Sequence, residues 1–405
     1  MKSPIRVHLC SSVVSIFLLP LFVAASDWPQ WRGPNRDGIS AEADWSAQWP
    51  ANGPKQLWKT NVGTGCSSVV VSGGRVFTLG NQSDSDTVVC LDANSGAVLW
   101  KQTYACPLDP KMFEGGPGAT PTVDGDRVYT LSRSGHLFCL QTATGKVVWA
   151  KQLQKDLNGK MPTWGYAGSP LVLGDWLLLD ASAAAASTVA FNKMTGAVVW
   201  KNGHEHAGYG SLMPLTFQHK LCVASFNASG LTVRDTANGA PLAHFPWKTD
   251  YDINPTTPIV AGDKIFISSG YGKGCALLQL GAAGLTEVWH SKKMRTHFNS
   301  CVLWQGHLYG FDDNQLTCME FATGAVKWQE KSLGKGSLMV AGGKLVILGE
   351  QGDLVVAEPS PAGYKPLARA KVLENRCWVV PVLANGRIYC KNNLGDLVCV
   401  DVSGK

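Results

Sequence analysis

His204 and His206, one residue apart in the run GHEH, are the side chains of this sequence that most resemble metal ligands. In an extended chain alternate side chains point the same way, so the two imidazoles would share a face. A metal centre needs a third and fourth ligand within reach. The spacing identifies neither, and the run reads as a solvated loop with no metal assigned. Twelve cysteines invite redox or zinc chemistry. No C-x-x-C occurs, which leaves zinc and thioredoxin-like roles without support. Cys390 and Cys399 flank the turn KNNLGD, and a cross-strand disulfide between them is the one pairing the spacing permits. No G-x-S-x-G turn fixes a serine nucleophile, and the glycines punctuate turns where a phosphate loop would open a helix. No catalytic residue is assigned.

The residues with binding potential are dispersed. Glu114, Trp164, Tyr166, His206, Tyr209, Tyr251, Asn254, Arg295, His297, Asn299, Asn375, Arg376 and Trp378 all lie in stretches that join one group of apolar runs to the next. Aromatic and hydrogen-bonding side chains gathered round a concave mouth are what a small molecule, a glycan or a peptide requires. The same side chains suit another role, in which the polar ones satisfy loop backbones and the aromatic ones plug a channel. Either role needs a scaffold that returns repeatedly to one face.

That scaffold is written as a repeat. Trp58, Trp100, Trp149, Trp200, Trp247, Trp289 and Trp328 recur at intervals of 39 to 51 residues, and one further step reaches Leu367 to Ala370, where no Trp stands. The last unit then runs to Lys405, making eight. Each unit holds an apolar run, a tight turn (SGGR, DGDR, AGDK, AGGK, ANGR), two more apolar runs and the Trp-bearing run. Such turns need torsions that Gly, Asn and Asp tolerate, so they mark hairpins. Four short strands per unit of this length describe a propeller blade. Cys90, Cys139, Cys318 and Cys399 occupy a place that other units fill with Ala190, Val233, Leu278 and Val356, so they read as small buried apolar residues.

The expected fold is all-β: an eight-bladed β-propeller of four-stranded antiparallel blades, closed by an N-terminal strand that completes the last blade. A ring must close or leave bare strand edges. The last unit has three strands before the chain stops, and QLWKTN near the start has a Trp-bearing strand with no blade before it. Trp58 is therefore expected beside residues near 397 to 400.

Residues 1–26 read as an export signal, with Lys2 and Arg6, an apolar stretch from Leu9 to Val23 and Ala24-Ala25-Ser26 as cleavage site. Residues 27–56 are then an arm and 57–405 the propeller. Trp28 and Trp31, stiffened by Pro29 and Pro34, either reach for a partner or dock on the propeller and hold the closing strand; docking is the favoured reading. Trp45 and Trp49 are expected to extend the same packing. Composition is that of a globular chain, 45% hydrophobic and 16% charged. Net charge is +6, or +4 without Lys2 and Arg6, and no block of like charge occurs, which argues against a nucleic-acid partner. The expected product is an exported soluble monomer, periplasmic or extracellular, without a transmembrane segment once the signal is removed.

The run LDANSGAVLWK and its copies resemble the repeat of quinoprotein-type (PQQ-like) β-propellers, and DWPQWRGPNRDG resembles the opening of exported members of that family. The resemblance covers the mature chain and implies two functions. One is a dehydrogenase of alcohols or sugars dependent on PQQ and calcium. The other is a non-catalytic propeller related to the outer-membrane assembly machinery, which binds protein partners through surface loops. The family's dehydrogenases carry a disulfide between adjacent cysteines, and no Cys-Cys pair occurs here, so none of their site residues transfers. The favoured expectation is a binding or scaffold module for a protein partner, small ligand or glycan.

Overall fold

The computed structural model describes residues 27–111 and 113–404, so the proposed export signal lies outside the described residues. The chain folds into eight antiparallel sheets, each strand order running from an innermost strand outward. Blade one is typical: Val70–Ser72, Arg75–Gln82, Ser85–Asp92 and Val98–Ala105. Among the described residues the only helices are Leu153–Leu157 and the single 3-10 turn Asp250–Asp252.

The ring closes through Gln56–Asn61, the outermost strand of the last sheet, which pairs antiparallel with Asp396–Asp401 and sets Trp58 opposite Cys399. The blades are joined by a repeated contact. The indoles of Trp58, Trp100, Trp149, Trp200, Trp289 and Trp328 donate to carbonyls of the following blade at Ala93, Thr142, Lys193, Thr236, Phe321 and Ser360, over 2.7 to 3.2 Å. In five of these joints the ring face lies on a turn glycine. A Cβ on Gly96 would stand 2.6 Å from the Trp58 ring, and one on Gly324 2.7 Å from Trp289. The Ser/Thr-Gly turn, or Asn238-Gly239 in blade four, thus receives the neighbouring blade's tryptophan at these five joints, and at φ near +70° only glycine does so without strain.

Blade four corrects the repeat alignment. Its outermost strand is Pro241–Pro246, and Ala243 stands opposite Val233, where other blades have Trp. Trp247 follows that strand and donates to Ser269 Oγ of blade five at 3.1 Å. Blade five turns between its last two strands at Gly281 to Gly284 with no Ser/Thr-Gly turn, and Gly281 has no atom near its missing Cβ. With no receiving glycine, the tryptophan docks elsewhere. In the same blade it is Leu277, and not Leu278, that faces Trp289.

Blade seven also lacks its Trp, with Ala368 opposite Val356. Here the arm substitutes. Trp45 is buried and Trp49 half-buried in one cluster with Ala368, and the Ser46 N–H donates to Val402 at 2.8 Å. Trp45 and Trp49 therefore extend the core at the joint the repeat leaves weakest.

Residues 27–40 occupy the central channel. Trp28 bridges Val71, the Pro29 carbonyl accepts from Val123 N–H at 2.7 Å, and Ile39–Ser40 adds a parallel fifth strand to blade seven beside Val340 and Ala341. Arg32 donates to the Cys301 carbonyl at 2.8 Å, and Arg36 to those of Ser169 and Pro170 at 3.4 and 3.3 Å. With Trp31 donating to Thr257 of blade five, residues 27–40 contact six of the eight blades, so this segment is an internal plug.

All eleven cysteines among the described residues are free. The Cys390–Cys399 pairing is corrected by register: Cys390 faces Val398 and Tyr389 faces Cys399, which puts the two thiols on opposite faces of the sheet. Cys90, Cys139, Cys318 and Cys399 are fully buried, each between an outer-strand Trp and a Phe or Tyr of the second strand.

Candidate functional site: an aromatic cup at the channel mouth

In seven of the eight blades a Ser or Thr stands just before the innermost strand or at its first residue, at the neck of the channel, and these residues link neighbouring blades; blade eight has Val380 there. Backbone N–H groups of Ser68, Thr120, Ser169 and Thr257 donate to the hydroxyls of Thr120, Ser169, Ser211 and Ser300 over 2.8 to 3.1 Å. Ser337 and Ser68 carry the ring past blade eight by donating to Val379 and Val380 carbonyls. The neck is thus fixed by short hydrogen bonds, and the loops above it stand on a rigid base.

Above the neck lies a cavity of about 360 Å³. Trp31 of the plug forms its floor, with the indole N–H donated to Thr257 Oγ1 at 2.9 Å. Its walls are Phe113, Trp164, Tyr166, Tyr209, Tyr271, His297, Phe298 and Trp378, with Cys66, Ser169, Ser211, Asn299 and Lys335 between them. Phe298 stacks on Trp378 with ring centres 3.8 Å apart, and Trp164 meets Tyr209 and Tyr251 edge-on at 6.1 and 5.8 Å. Such arrangements rigidify aromatic walls.

The charged side chains at the wall are paired. Arg376 lies over the Trp378 ring and 3.3 Å from Glu114, which also accepts from Asn393 at 2.9 Å. Lys335 Nζ is 2.9 Å from Asp313 and 3.3 Å from His297 Nδ1. Burial, with the Lys335 ammonium beside it, lowers the His297 pKa to about 4. Its Nδ1 faces an ammonium and so accepts, leaving the proton on Nε2, a buried atom with no hydrogen-bond partner. Burial raises the Tyr209 and Tyr271 hydroxyls above their ordinary pKa and lifts the Cys66 thiol to about 11, so all three stay protonated at neutral pH.

The thirteen residues read from sequence divide into two groups. Trp164, Tyr166, Tyr209, His297, Asn299 and Trp378 line the cup, and Glu114 and Arg376 brace it. Tyr251 is two-thirds exposed at the rim against Trp164. The other four stand apart from the lining. Asn254 is fully buried and its amide serves Asn227, Trp247 and Ser269. Arg295 is held by Asp312 at 2.6 Å, Asn375 is an exposed turn residue at φ +63°, and His206 is exposed with its ring near Ser182. Among the described residues no three or more His, Cys, Asp or Glu side chains gather as a metal site around His204 and His206 or elsewhere.

Sequence reasoning missed Trp31, Phe113, Tyr271, Phe298 and Lys335. Phe298 and Phe113 adjoin selected residues and had a legible signal in that adjacency. Trp31 had none, because nothing local says that an arm enters a channel.

A model of the family described as outer membrane protein assembly factor BamB matches residues 47–109 and 85–330. No curated protein matches the sequence. The fold is similar to that of BamB from Moraxella catarrhalis, with TM-score 0.61 and 15% identity over 86% of this chain and 97% of that one. It is similar to the quinohemoprotein alcohol dehydrogenase ADHIIG from Pseudomonas putida HK5, with TM-score 0.63 and 11% identity over 94% and 81%. A computationally designed protein, Ika8, is similar at TM-score 0.60 and 10% identity over 86% and 100%. At these identities the likeness is one of fold. The residues present do not fit a calcium ion carrying a quinone: of the carboxylates at the cup, Glu114 and Asp313 are engaged by Arg376 and Lys335, and Glu350 accepts from the Trp378 indole at 3.2 Å and the Lys335 backbone N–H at 3.1 Å.

Proposed function

We propose, from the premise that this chain belongs to the family of the outer membrane protein assembly factor BamB, that it is a non-catalytic binding module whose ligand sits in the aromatic cup. The observation that carries this reading is the cup itself: about 360 Å³ of rigid aromatic wall in which each charged side chain already has a partner. Binding sites combine apolar walls with a few fixed polar groups. General acid–base catalysis wants groups titrating near neutrality, whereas His297, Tyr209, Tyr271 and Cys66 are all shifted away from it. The ligand is a small molecule, a glycan or a short segment of a protein partner. The module works as an exported protein in this reading, supported by the leader-like composition of residues 1–26. Its buried thiols suit an oxidising compartment, since burial keeps them protonated and out of reach.

The test is calorimetric titration of aromatic small molecules, oligosaccharides and short peptides against the native protein and Trp378→Ala. Binding that the substitution weakens at least tenfold supports the reading. Binding that it leaves unchanged places the site elsewhere. PQQ with calcium, followed by dye reduction with simple alcohols and sugars, belongs in the same panel, and turnover would replace this reading with an oxidoreductase.

A further inference from the structure

The channel beneath the cup holds two buried guanidinium groups with no carboxylate among their hydrogen-bond partners. Arg36 is 1% exposed and donates to the Gln30 side chain and to the Ser169 and Pro170 carbonyls, while its Nε has no partner. Arg32 is 5% exposed and donates to the carbonyls of Arg36, Asp37 and Cys301. A third cation, Lys391, is 1% exposed and donates to the carbonyls of Gly65 and Ser67, on either side of the cup residue Cys66. Burial lowers the pKa of these groups, to about 9 for Arg36, 10 for Arg32 and 8 for Lys391, and all three remain mainly charged at pH 7. Buried charge is costly unless compensated, and only Asp37 stands near Arg32 as an opposing charge.

The cup floor meets this positive region through two hydroxyls. Ser169 and Ser211 are 4% and 5% exposed and both line the cavity. Each Oγ accepts a backbone N–H, from Thr120 and Ser169 respectively, and among the described residues neither hydroxyl donates. Each keeps a proton to give. The Ser169 carbonyl is in turn held by Arg36. Higher up, Lys335 and Arg376 are matched by Asp313 and Glu114, so uncompensated positive charge lies only at depth.

We propose that the deep end of the cup is an anion subsite, formed by the Ser169 and Ser211 hydroxyls over the buried Arg32 and Arg36, and that the ligand is a small organic monoanion with an apolar or aromatic body. This rests on the cup being the binding site and adds the ligand's charge and orientation. The anionic head lies by Trp31 and the body stacks between Phe298 and Trp164. A polyanion is disfavoured, because the upper wall offers no free cation.

Three probes on one skeleton test it: 3-phenylpropionate, 3-phenylpropanamide and 3-phenylpropylamine, titrated calorimetrically against the full chain at neutral pH. The acid is expected to bind at least tenfold tighter than the amide, with the amine weakest. Ser211→Ala is expected to narrow the acid-to-amide ratio at least threefold and Ser211→Thr to restore it, a pattern that simple loosening of the neck would not give. Equal binding of acid and amide, or strongest binding of the amine, overturns the anion subsite and leaves the cup as a binding site. Probe binding that Trp378→Ala leaves unchanged, or no binding of any probe at millimolar concentration, overturns both.

Discussion

Replacing Trp58 with Ala attacks the one joint that closes the ring. The side chain is 7% exposed, its indole donates to Ala93 at 3.1 Å, its face covers Gly96 and its edge meets Tyr389 at 5.9 Å between ring centres. Truncating a buried Trp costs about 3–5 kcal/mol, and the Ala93 carbonyl keeps a second donor in Arg387 Nη1 at 3.1 Å, so its loss of the indole adds little. A loss of about 3–5 kcal/mol is expected against a total of roughly 5–15 kcal/mol. Trp58→Phe keeps most of the area and loses the donor, so about 1–2 kcal/mol is expected there. Urea unfolding followed by circular dichroism reads both, with Trp100→Ala as an internal joint of the same construction. The closing joint has a further dependence, because its strand comes from the other end of the chain and, unlike the Trp100 strand, is not tied by a hairpin to its ladder partner Asp396–Asp401. Trp58→Ala should therefore expose that edge and raise aggregation at the midpoint, which Trp100→Ala should not. A loss below about 1.5 kcal/mol for Trp58→Ala, smaller than the lower bound for Trp truncation, would refute closure through this contact.

Gly145→Ala is expected to destabilise by about 2–4 kcal/mol, combining left-handed strain with overpacking against Trp100, since Gly145 sits at φ +70° directly against that ring; a neutral effect in thermal melting would contradict the glycine–tryptophan joint. Because the folded-state pKa of His297 lies near 4, below its ordinary 6.5, the unfolded chain binds the extra proton between those values and stability falls as pH drops through that window. His297→Gln should flatten that part of a melting-temperature profile, and an unchanged slope would count against the buried neutral imidazole. In a chain beginning at Asp27, a denatured thiol titration should give eleven free cysteines, whereas under native conditions Cys66, the one not fully buried, should label first and slowly. An intact disulfide by mass spectrometry would be the contrary result. Trp31→Ala should weaken cup ligands at least tenfold while leaving the ring folded, because Trp31 is only partly buried and contributes the floor alone.

The ring was legible in sequence because each blade repeats one mechanical contact, a Trp on the outer strand and a glycine turn that receives it. Where that pair lapses, reading failed. Trp247 was taken as the fourth blade's tryptophan, although Ala243 holds that place, since one Trp every forty-odd residues looks the same whether or not a glycine awaits it. The Cys390–Cys399 pairing failed by one residue of register, and a one-residue slip reverses which face a strand side chain occupies. The upper wall of the cup was partly legible, because polar and aromatic residues between apolar runs stand out at Trp164, Tyr209, His297 and Trp378. Its floor and its charge were not. Nothing local singles out Arg32 and Arg36, and it is the pairing of the segment at both ends, Trp28 with Val71 and Ile39–Ser40 with blade seven, that puts them inside the channel. Asn254 shows the converse, a residue chosen for its amide that is used up in holding its own loop.

Crystals of the full chain soaked with a fragment collection of aromatic acids, amides and amines test the account most directly. It predicts density in the cup between Trp31, Phe298 and Trp164, with acid groups directed at Ser169 and Ser211. Fragments that occupy other surfaces and leave this cavity untouched would contradict it.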